Sequence, residues 1–188
     1  MSKGKGEVRI IGGQWRGRAV IFAERPGLRP TPGRGRETLF NWLGQTLTGW
    51  HCLDLYAGSG ALGFEARSRG AERVVMVERD RQVCASLRAN AERLGAEGVS
   101  VQCAEARDWL KRDCATYDLI FLDPPFGSDE MAHIWPWIAR RLRPGGWVYC
   151  ESAQGVSELG EWHEVRSTKV GQARLQLLQQ PQMQEKDE

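Results

Sequence analysis

From residue 52 onwards, the sequence alternates short β-rich runs with longer segments of helical periodicity. The β-rich runs cover residues 52–56, 73–77, 99–103, 119–122 and 147–150. Strands that alternate with helices along a chain form parallel sheets whose faces those helices cover. Two further runs, 162–168 and 173–178, flank Gly171 and predict an antiparallel pair that closes the sheet. The sequence therefore predicts an α/β fold with a mostly parallel, seven-stranded sheet and helices on both faces.

Two of the intervening helices have recognisable ends. One has an apolar face of residues three or four positions apart, namely Val83, Leu87, Ala91 and Leu94. Gly95 follows this face directly and is a typical C-terminal helix stop. A second helix is expected to end at Leu142, before a Pro-Gly-Gly turn, and it contains Pro136.

The first fifty residues carry an excess of positive charge. They contain nine lysines and arginines against three glutamates, whereas the whole 188-residue chain has a net charge of only +2. Residues 8–11 and 15–22 predict a small hairpin, residues 29–33 a loop, and residues 36–47 a helix. The arginines alternate with Gly, Pro and Trp15, which is more typical of a surface that follows phosphates than of a solvated helix face. We therefore predict a basic hairpin extension that contacts nucleic acid.

The first β-rich run leads directly into a glycine-rich turn. Gly58, Gly60 and Gly63 form a G-x-G-x-x-G spacing that ends a strand and opens a helix. Such a turn holds a dinucleotide pyrophosphate or a smaller adenosyl cofactor, and a tight turn without a ligand is the structural alternative. Asp54 favours the adenosyl cofactor, because a carboxylate repels a pyrophosphate but attracts the cationic amino group of a methionine-like moiety.

Acidic residues also follow the next two runs. Glu78 ends the second run, where a carboxylate can accept hydrogen bonds from both hydroxyls of a ribose. An ordinary strand-end acid is the alternative for Glu78. Glu105 follows the third run and can accept from an adenine amino group, with a neighbouring backbone amide serving a ring nitrogen. The alternative for Glu105 is an acid that stabilises the N-terminus of the next helix.

The fourth run ends in Asp123-Pro124-Pro125-Phe126. Prolines cannot donate to a sheet ladder, so they force the chain out at the carboxyl edge of the strand. That edge is where open α/β sheets bind ligands. Asp and Pro are also common turn formers, so the tetrapeptide alone leaves an ordinary turn open.

Neither a metal site nor a membrane segment is indicated. The five cysteines are widely spaced without a C-x-x-C pair, and the three histidines are scattered, which predicts reduced structural thiols and no metal. No apolar run approaches the roughly 18 residues of a membrane span. The basic N-terminus does not lead into an apolar signal segment. We therefore expect a cytoplasmic protein.

In this order, the glycine loop, Glu78 and the D-P-P-F element resemble the class I S-adenosylmethionine-dependent methyltransferases that act on an exocyclic amine. A narrower resemblance, over about residues 9–178, is to RsmD, a family of bacterial small-subunit rRNA guanine-N2 methyltransferases. It is carried by residues 9–18 (RIIGGQWRGR), 28–31 (LRPT), 36–43 (RETLFNWL) and 54–60 (DLYAGSG). Two segments depart from the family pattern: residues 32–35 (PGRG) in the substrate-facing loop, and residues 135–137 (WPW) after the D-P-P-F element.

The resemblance implies a Rossmann-like class I methyltransferase fold with three parts. Residues 1–35 are expected to form the basic RNA-binding extension, residues 36–178 the methyltransferase domain, and residues 179–188 a disordered tail. The implied cofactor is S-adenosylmethionine. The implied substrate is 16S rRNA in an assembled or assembling 30S subunit, methylated by a monomer at N2 of guanine 966.

The same resemblance assigns expected roles to individual residues. Cofactor contacts are expected from Asp54, Tyr56, Gly58, Ser59, Gly60, Glu78, Arg79, Glu105, Ala106 and Asp123. Asp123 and Pro124 are expected to accept the amino hydrogens of the target base. Phe126 is expected to stack on that base, with a core position as its alternative. RNA contacts are expected from Arg9, Arg16, Arg18, Arg29, Thr31, Arg34 and Arg36.

Three other functions fit parts of the sequence. A different amino-methylating enzyme, acting on adenine N6 in DNA or glutamine N5 in protein, shares the glycine loop and a related D/N-P-P-[YF] element. An NAD-dependent oxidoreductase fits the glycines, but it leaves the D-P-P-F element without a role. A non-catalytic RNA-binding assembly factor could keep the same fold, although every expected cofactor and catalytic position is intact here.

Overall fold

The strands form a small hairpin and a seven-stranded sheet. The computed structural model describes residues 5–23, 33–124, 130–153, 155–156 and 162–180. The hairpin consists of β1 (Lys5–Arg9) and β2 (Ala19–Ala23). The large sheet consists of β3 (His51–Asp54), β4 (Arg73–Glu78), β5 (Val99–Cys103), β6 (Tyr117–Leu122), β7 (Leu142–Ser152), β8 (His163–Val170) and β9 (Ala173–Gln179).

The strand order of the large sheet is β5-β4-β3-β6-β7-β9-β8. Strands β3 to β7 are parallel, whereas β9 runs antiparallel to both β7 and β8. The predicted Rossmann-like class I methyltransferase fold, with its antiparallel C-terminal pair, is therefore confirmed. The chain passes from β3 to β4 and β5 on one side and then returns to β6 on the other. Ligands of open α/β sheets bind at such a reversal, which here lies between β3 and β6.

Helices cover both faces of this sheet. In the described residues they are α1 (Gly33–Leu43), α2 (Ala61–Ser68), α3 (Arg81–Leu94), α4 (Ala106–Arg112) and α5 (Glu130–Arg141). Side chains of α1, α2 and α3 contribute to one apolar core, and those of α4 and α5 to a second. Because helices cover both faces, the central strands β4 and β6 are buried along most of their length, which explains their near-continuous apolar sequences. No helix among these residues is long and apolar enough to span a membrane.

Helix α3 ends where the sequence predicts, and the structure shows how it begins. Its N-cap is Asp80, whose side chain accepts hydrogen bonds from the backbone N–H groups of Gln82 and Val83. It stops at Gly95, which has a left-handed φ of 64°. The stop at Gly95 acts locally, which is why the sequence alone located the C-terminal end of this helix.

The predicted bounds of two other helices were wrong. Helix α1 covers Gly33–Leu43 rather than residues 36–47, because Gly44 takes a φ of 94° and ends the helix. Leu47 is nevertheless fully buried, in the segment that follows. Helix α5 ends one residue earlier than predicted, since Leu142 already begins β7.

The N-terminal hairpin is present, but the bounds of both its strands differ from the prediction. Strand β1 covers Lys5–Arg9 rather than residues 8–11. Trp15 belongs to a short 3-10 turn, Gly13–Trp15, instead of the return strand, and β2 starts at Ala19. The apolar side chains of the hairpin segment lie in the same core as α1, α2 and α3; they are Val8, Ile10, Trp15, Val20 and Phe22. The extension is therefore packed onto the body of the protein. At the other end, Gln179 belongs to β9 rather than to the predicted tail, and residues 181–188 lie outside the described residues.

Candidate active site

A pocket opens where the strand order reverses, at the carboxyl ends of β3 and β6. Its lining comes from two distant motifs and consists of Asp54, Tyr56, Ala57, Gly58, Ser59, Ala61, Leu62 and Asp123. Strands β3 and β6 are parallel neighbours, and their register pairs Asp54 with Phe121. Asp123 lies two residues beyond Phe121, so it reaches the same edge of the sheet. The structure thus brings the glycine loop and the start of the D-P-P-F element together.

The glycine loop needs glycine for two different reasons. Gly58 and Gly60 have φ values of 48° and 78°, in the left-handed region that other residues rarely adopt. A Cβ added at Gly60 would lie 2.5 Å from Leu87 Cδ2, so this glycine allows the loop to pack against α3. A Cβ added at Gly58 would meet only the Tyr56 carbonyl oxygen, at 3.8 Å. Gly58 therefore presents bare backbone to the pocket.

Glu78 holds this loop from the neighbouring strand. Its Oε2 accepts a hydrogen bond from the Gly58 N–H at 3.1 Å, and its Oε1 accepts one from the Asp80 N–H at 2.8 Å. Each carboxylate oxygen has a second lone pair, so the group can still accept from a ligand. Glu78 thus lies beside the glycine loop and holds it, a structural role that the sequence did not show.

Asp54 lies at the base of the pocket. Its side chain is buried, and its Oδ2 accepts a hydrogen bond from the Gly63 N–H in the first turn of α2, at 3.0 Å. Burial raises the pKa of Asp54 to about 7, and the charge of Glu78 acts in the same direction against the opposing hydrogen bond from Gly63. Asp54 is therefore a carboxyl that would readily ionise next to a cation.

Asp123 is the second perturbed carboxyl of the pocket. Burial, together with the nearby charges of Glu151 and Asp54, raises its pKa to about 8. Pro124, which follows it, is buried. A cluster of carboxyls that disfavour each other's ionisation attracts a positive charge and is also able to take up a proton near neutral pH.

The sequence analysis did not identify Glu151 as part of this site. Strand β7 runs parallel to β6 and pairs Cys150 with Leu122, so Glu151 and Asp123 are neighbours one residue further along. Glu151 is buried, and its Oε2 accepts a hydrogen bond from the Tyr149 hydroxyl at 3.4 Å. Glu151 could have been predicted in the same way as Asp123, because it is also an acidic residue directly after an apolar run.

The other predicted cofactor residues lie in the pocket lining or at the neighbouring strand ends. The Tyr56 hydroxyl donates to Glu130 Oε1 at 3.3 Å and so connects the glycine loop to the start of α5. Arg79 is exposed at the end of β4. Glu105 is exposed just before α4, and its side chain does not cap that helix; Ala106 is buried as the first helical residue. Ser59 is buried in the pocket lining. Phe126 lies outside the described residues.

The predicted RNA-binding arginines do not form one uniform group. Arg9, Arg16, Arg18 and Arg34 are exposed. The prediction for Arg36 was wrong: this side chain is only 4% exposed, and it donates to the Arg9 carbonyl oxygen at 2.9 Å and pairs with Glu65 at 3.5 Å. Its guanidinium holds the hairpin from inside the protein, out of reach of a phosphate. Arg29 and Thr31 lie outside the described residues.

Comparison with known sequences gives consistent matches along nearly the whole chain. A family profile described as "Conserved hypothetical protein 95" matches residues 8–179. Ribosomal RNA small subunit methyltransferase D of Escherichia coli (strain K12) is 38% identical over 193 residues, which cover 98% of this chain and 96% of that protein. The protein of the same name from Haemophilus influenzae (strain Rd) is 47% identical over 154 residues, covering 79% and 80% of the two chains.

Solved structures are also similar to this chain over most of its length. The structure titled "Putative methyltransferase yhhF from Escherichia coli" superposes with a TM-score of 0.85 at 38% identity, covering 94% of this chain and 99% of that one. A Thermus thermophilus 16S rRNA N2 G1207 methyltransferase, in complex with AdoMet and guanosine, has a TM-score of 0.72 at 26% identity. That match covers 96% of this chain and 51% of the Thermus chain. The similarity thus includes both the hairpin and the pocket.

Proposed function

The chain belongs to the RsmD family, and from this membership we propose that it transfers a methyl group from S-adenosylmethionine to the N2 amine of a guanine in 16S rRNA. The observation that carries the proposal is a single pocket lined by both Gly58 of the glycine loop and Asp123 of the D-P-P-F element. The Thermus structure, a guanine-N2 methyltransferase with a bound nucleoside, supports the choice of base. Guanine 966 is the target that the family resemblance implies.

The pocket residues fit S-adenosylmethionine, which when bound supplies an electrophilic methyl group on a sulfonium sulfur. Asp54 offers a buried carboxyl and Asp123 a half-buried one to a ligand that carries two positive charges. Gly58 has no side chain to obstruct the approach of a ligand to the loop. Glu78, on β4, is the candidate for the ribose hydroxyls, and Glu105 and Ala106, after β5, are the candidates for the adenine.

Binding of this cofactor is expected to release protons from the protein. Free aspartates have pKa values near 3.9, but in the unliganded pocket the pKa of Asp54 is about 7 and that of Asp123 about 8. Both carboxyls are therefore largely protonated at pH 6.5. A cationic ligand favours the ionised form, so both pKa values fall on binding and roughly one proton per cofactor leaves the protein. Calorimetric titration at pH 6.5 in buffers of different ionisation enthalpy measures this number.

Asp54→Asn serves as the control for that titration. It removes one of the two titrating carboxyls, so we expect the number of released protons to fall while some release from Asp123 persists. At pH 6.5 the α-amino group of the cofactor, with a pKa of about 8, is already protonated and contributes little. A binding enthalpy that is independent of the buffer would contradict the assignment of these carboxyls to the cofactor site.

The D-P-P-F element can align the target amine. The exocyclic nitrogen of guanine is a weak nucleophile because its lone pair is delocalised into the ring, so alignment and charge stabilisation are the main contributions that a protein can make. We assign the Asp123 carboxylate and the Pro124 carbonyl oxygen as acceptors for the two amino hydrogens. These contacts would orient the nitrogen, and the carboxylate would stabilise the positive charge that develops on it as the new C–N bond forms and the bond from the methyl carbon to the sulfonium sulfur breaks, its electron pair remaining on the sulfur. The Asp123 carboxylate, or a water beside it, then accepts the departing proton.

We assign Phe126 as the aromatic side chain that stacks on the guanine. A base inside folded RNA must leave its stack to reach a pocket, which costs a few kcal/mol. Stacking on an aromatic ring offsets this cost by roughly 1–3 kcal/mol.

The exposed arginines of the hairpin and of α1 are proposed to contact RNA phosphates. The four candidates are Arg9, Arg16, Arg18 and Arg34. Each phosphate contact with single-stranded RNA contributes about 0.7 to the slope of log Kd against log[salt]. Four contacts therefore predict a slope of magnitude about 3. Arg16→Ala should reduce the slope by about one contact. Arg107→Ala, an exposed arginine on α4, should leave it unchanged. Filter binding between low and high salt gives the slope, and a value near zero would remove the RNA role of these arginines.

Labelled methyl transfer to several substrates in parallel tests the proposed function. Purified protein is incubated with S-adenosylmethionine and with small subunits lacking this modification, naked 16S rRNA, DNA or total protein. We expect label only in the rRNA samples. Label in DNA or protein would instead identify one of the other amino-methylating enzymes. An intact, RNA-binding protein that transfers no label would indicate a non-catalytic assembly factor.

A further inference from the structure

Two buried polar side chains hold the basic hairpin, residues 5–23, against the helices next to the cofactor pocket. Glu65 of α2 is fully buried, and Asn90 of α3 is 3% exposed. Both side chains form hydrogen bonds with backbone groups of the hairpin. Neither residue lines the pocket, so the chemistry described above does not require them.

Glu65 binds the turn of the hairpin. Its Oε2 accepts a hydrogen bond from the Ile11 N–H at 2.8 Å, and its Oε1 accepts one from the Gly12 N–H at 2.7 Å. Arg36 and Arg69 pair with the same carboxylate, at 3.5 Å and 2.9 Å. A charge that is removed from water is costly unless it is paired and hydrogen-bonded in this way. The carboxylate therefore binds the turn with charge-assisted hydrogen bonds, which are stronger and more directional than apolar contact.

Asn90 binds the second strand of the hairpin in a bidentate manner. Its Oδ1 accepts from the Ile21 N–H at 3.1 Å, and its Nδ2 donates to the Ile21 carbonyl oxygen at 2.6 Å. A side-chain amide that pairs with both backbone groups of one residue fixes the position of β2 along α3 as well as its distance from the helix. Glu65 and Asn90 together thus hold the hairpin at two separate points.

The two helices that carry these residues also build the cofactor loop. Helix α2 starts directly after Gly60, and α3 starts at the cap Asp80, two residues after Glu78, which binds Gly58. A helix rises 1.5 Å per residue, so Glu65 lies about 8 Å and Asn90 about 15 Å along their helices from these starting points. Short, rigid elements therefore connect the hairpin to the loop that holds the methyl donor.

We propose that Glu65 and Asn90 are positioning residues that keep the RNA-binding hairpin in a fixed place relative to the methyl donor. The inference rests on the proposed function, because it assumes that the hairpin binds the RNA whose base enters the pocket. Methyl transfer needs the nitrogen aligned with the methyl group to within a fraction of an ångström, and a hairpin displaced by 1 Å or more presents the base poorly. Holding the arginines in one arrangement also avoids the entropic cost of ordering them when RNA binds.

Three variants and one control test this proposal. Glu65→Gln keeps the shape of the side chain and removes its charge, and Asn90→Ala removes the bidentate amide. Ser68→Ala is the mildest change, since it removes only the hydroxyl that accepts from the Trp15 N–H at 2.9 Å and donates to the Gly12 carbonyl oxygen at 2.6 Å. Glu92→Gln, on the exposed side of α3, makes the same change of charge as Glu65→Gln and controls for it.

Steady-state methyl transfer to small subunits separates positioning from general stability. For Glu65→Gln and Asn90→Ala we expect KM for the subunit to rise at least tenfold. For Ser68→Ala we expect KM to rise at least threefold. Cofactor Kd should stay within twofold of wild type in all three. The salt slope of RNA binding should become shallower by about one contact or more in the two stronger variants, because displaced arginines no longer reach their phosphates. Glu92→Gln should match wild type in every measurement.

Amide hydrogen exchange at Ile11, Gly12 and Ile21 shows whether the hairpin has been released, and we expect faster exchange there in the variants. Faster exchange with an unchanged KM and an unchanged salt slope would overturn the proposal. If Glu65→Gln does not fold, Asn90→Ala and Ser68→Ala decide the question, because neither leaves a buried arginine without its partner. Failure of wild-type protein to methylate subunits is a distinct result that contradicts the proposed function itself.

Discussion

Replacing Asp123 with Asn is expected to lower the turnover of methyl transfer at least a hundredfold, roughly the contribution of a general base or of one strong electrostatic contact. The amide has the same shape as the carboxylate, but it cannot stabilise the positive charge on the attacking nitrogen or take its proton. Asp123 shares the pocket with Asp54 and the glycine loop, which remain in this variant. Cofactor binding should therefore persist, and single-turnover kinetics at saturating cofactor measure the loss directly.

Asp108→Asn is the matched control for this experiment. Asp108 is an exposed residue of α4 that pairs with Lys111, so its substitution changes the same charge away from the pocket. Its turnover should equal that of the wild type. If Asp123→Asn binds cofactor and still turns over at a rate near wild type, Asp123 has no catalytic role.

A methyl group added at Gly60 is expected to damage both stability and cofactor binding. Gly60 has a φ of 78°, and its Cβ would lie 2.5 Å from Leu87 Cδ2 and 2.8 Å from Phe64 Cε2. The left-handed conformation costs an alanine about 1 kcal/mol, and overpacking adds about 1–3 kcal/mol. We expect the free energy of unfolding of Gly60→Ala to fall by about 3 kcal/mol. Because the preceding Gly58 and Ser59 line the pocket, cofactor affinity should fall at least tenfold.

Gly95→Ala separates these two contributions. Gly95 also has a left-handed φ, 64°, but a Cβ there would meet open space. Its substitution should cost only about 1 kcal/mol and leave cofactor affinity unchanged. Urea unfolding and calorimetry on both variants give the comparison. Equal losses at the two positions would show that packing of the glycine loop against α3 is unimportant for the site.

The central sheet could be predicted because its signals are local. The central strands β4 and β6 are buried along most of their length and read as apolar runs, and α3 stops at Gly95, a signal that acts within one helical turn. The meeting of Asp54 with Asp123 also followed from the sequence, since parallel strands end at one edge. The observed pairing of β3 with β6 brings both residues to the lining of one pocket.

The sequence did not show the burial of Arg36 or the role of Glu65, because both depend on residues far away in the chain. Arg36 resembles the exposed arginines around it, and only the buried Glu65, on a different helix, withdraws it from the surface. Glu65 itself looks like an ordinary helical glutamate until the hairpin covers it. Nearly every residue has a backbone N–H group, so the sequence does not show which of these groups a carboxylate binds. The role of Phe126 stays a prediction, because that residue lies outside the described part of the chain.

Nucleoside mass spectrometry of small subunits methylated by the purified protein tests the central claim most directly. If the turn at Gly58 holds the methyl donor and Asp123 grips a guanine amine, the digest will contain N2-methylguanosine, and fragment mapping will place it at guanine 966. N6-methyladenosine, a methyl group elsewhere on the guanine, or no new methylated nucleoside would contradict the account.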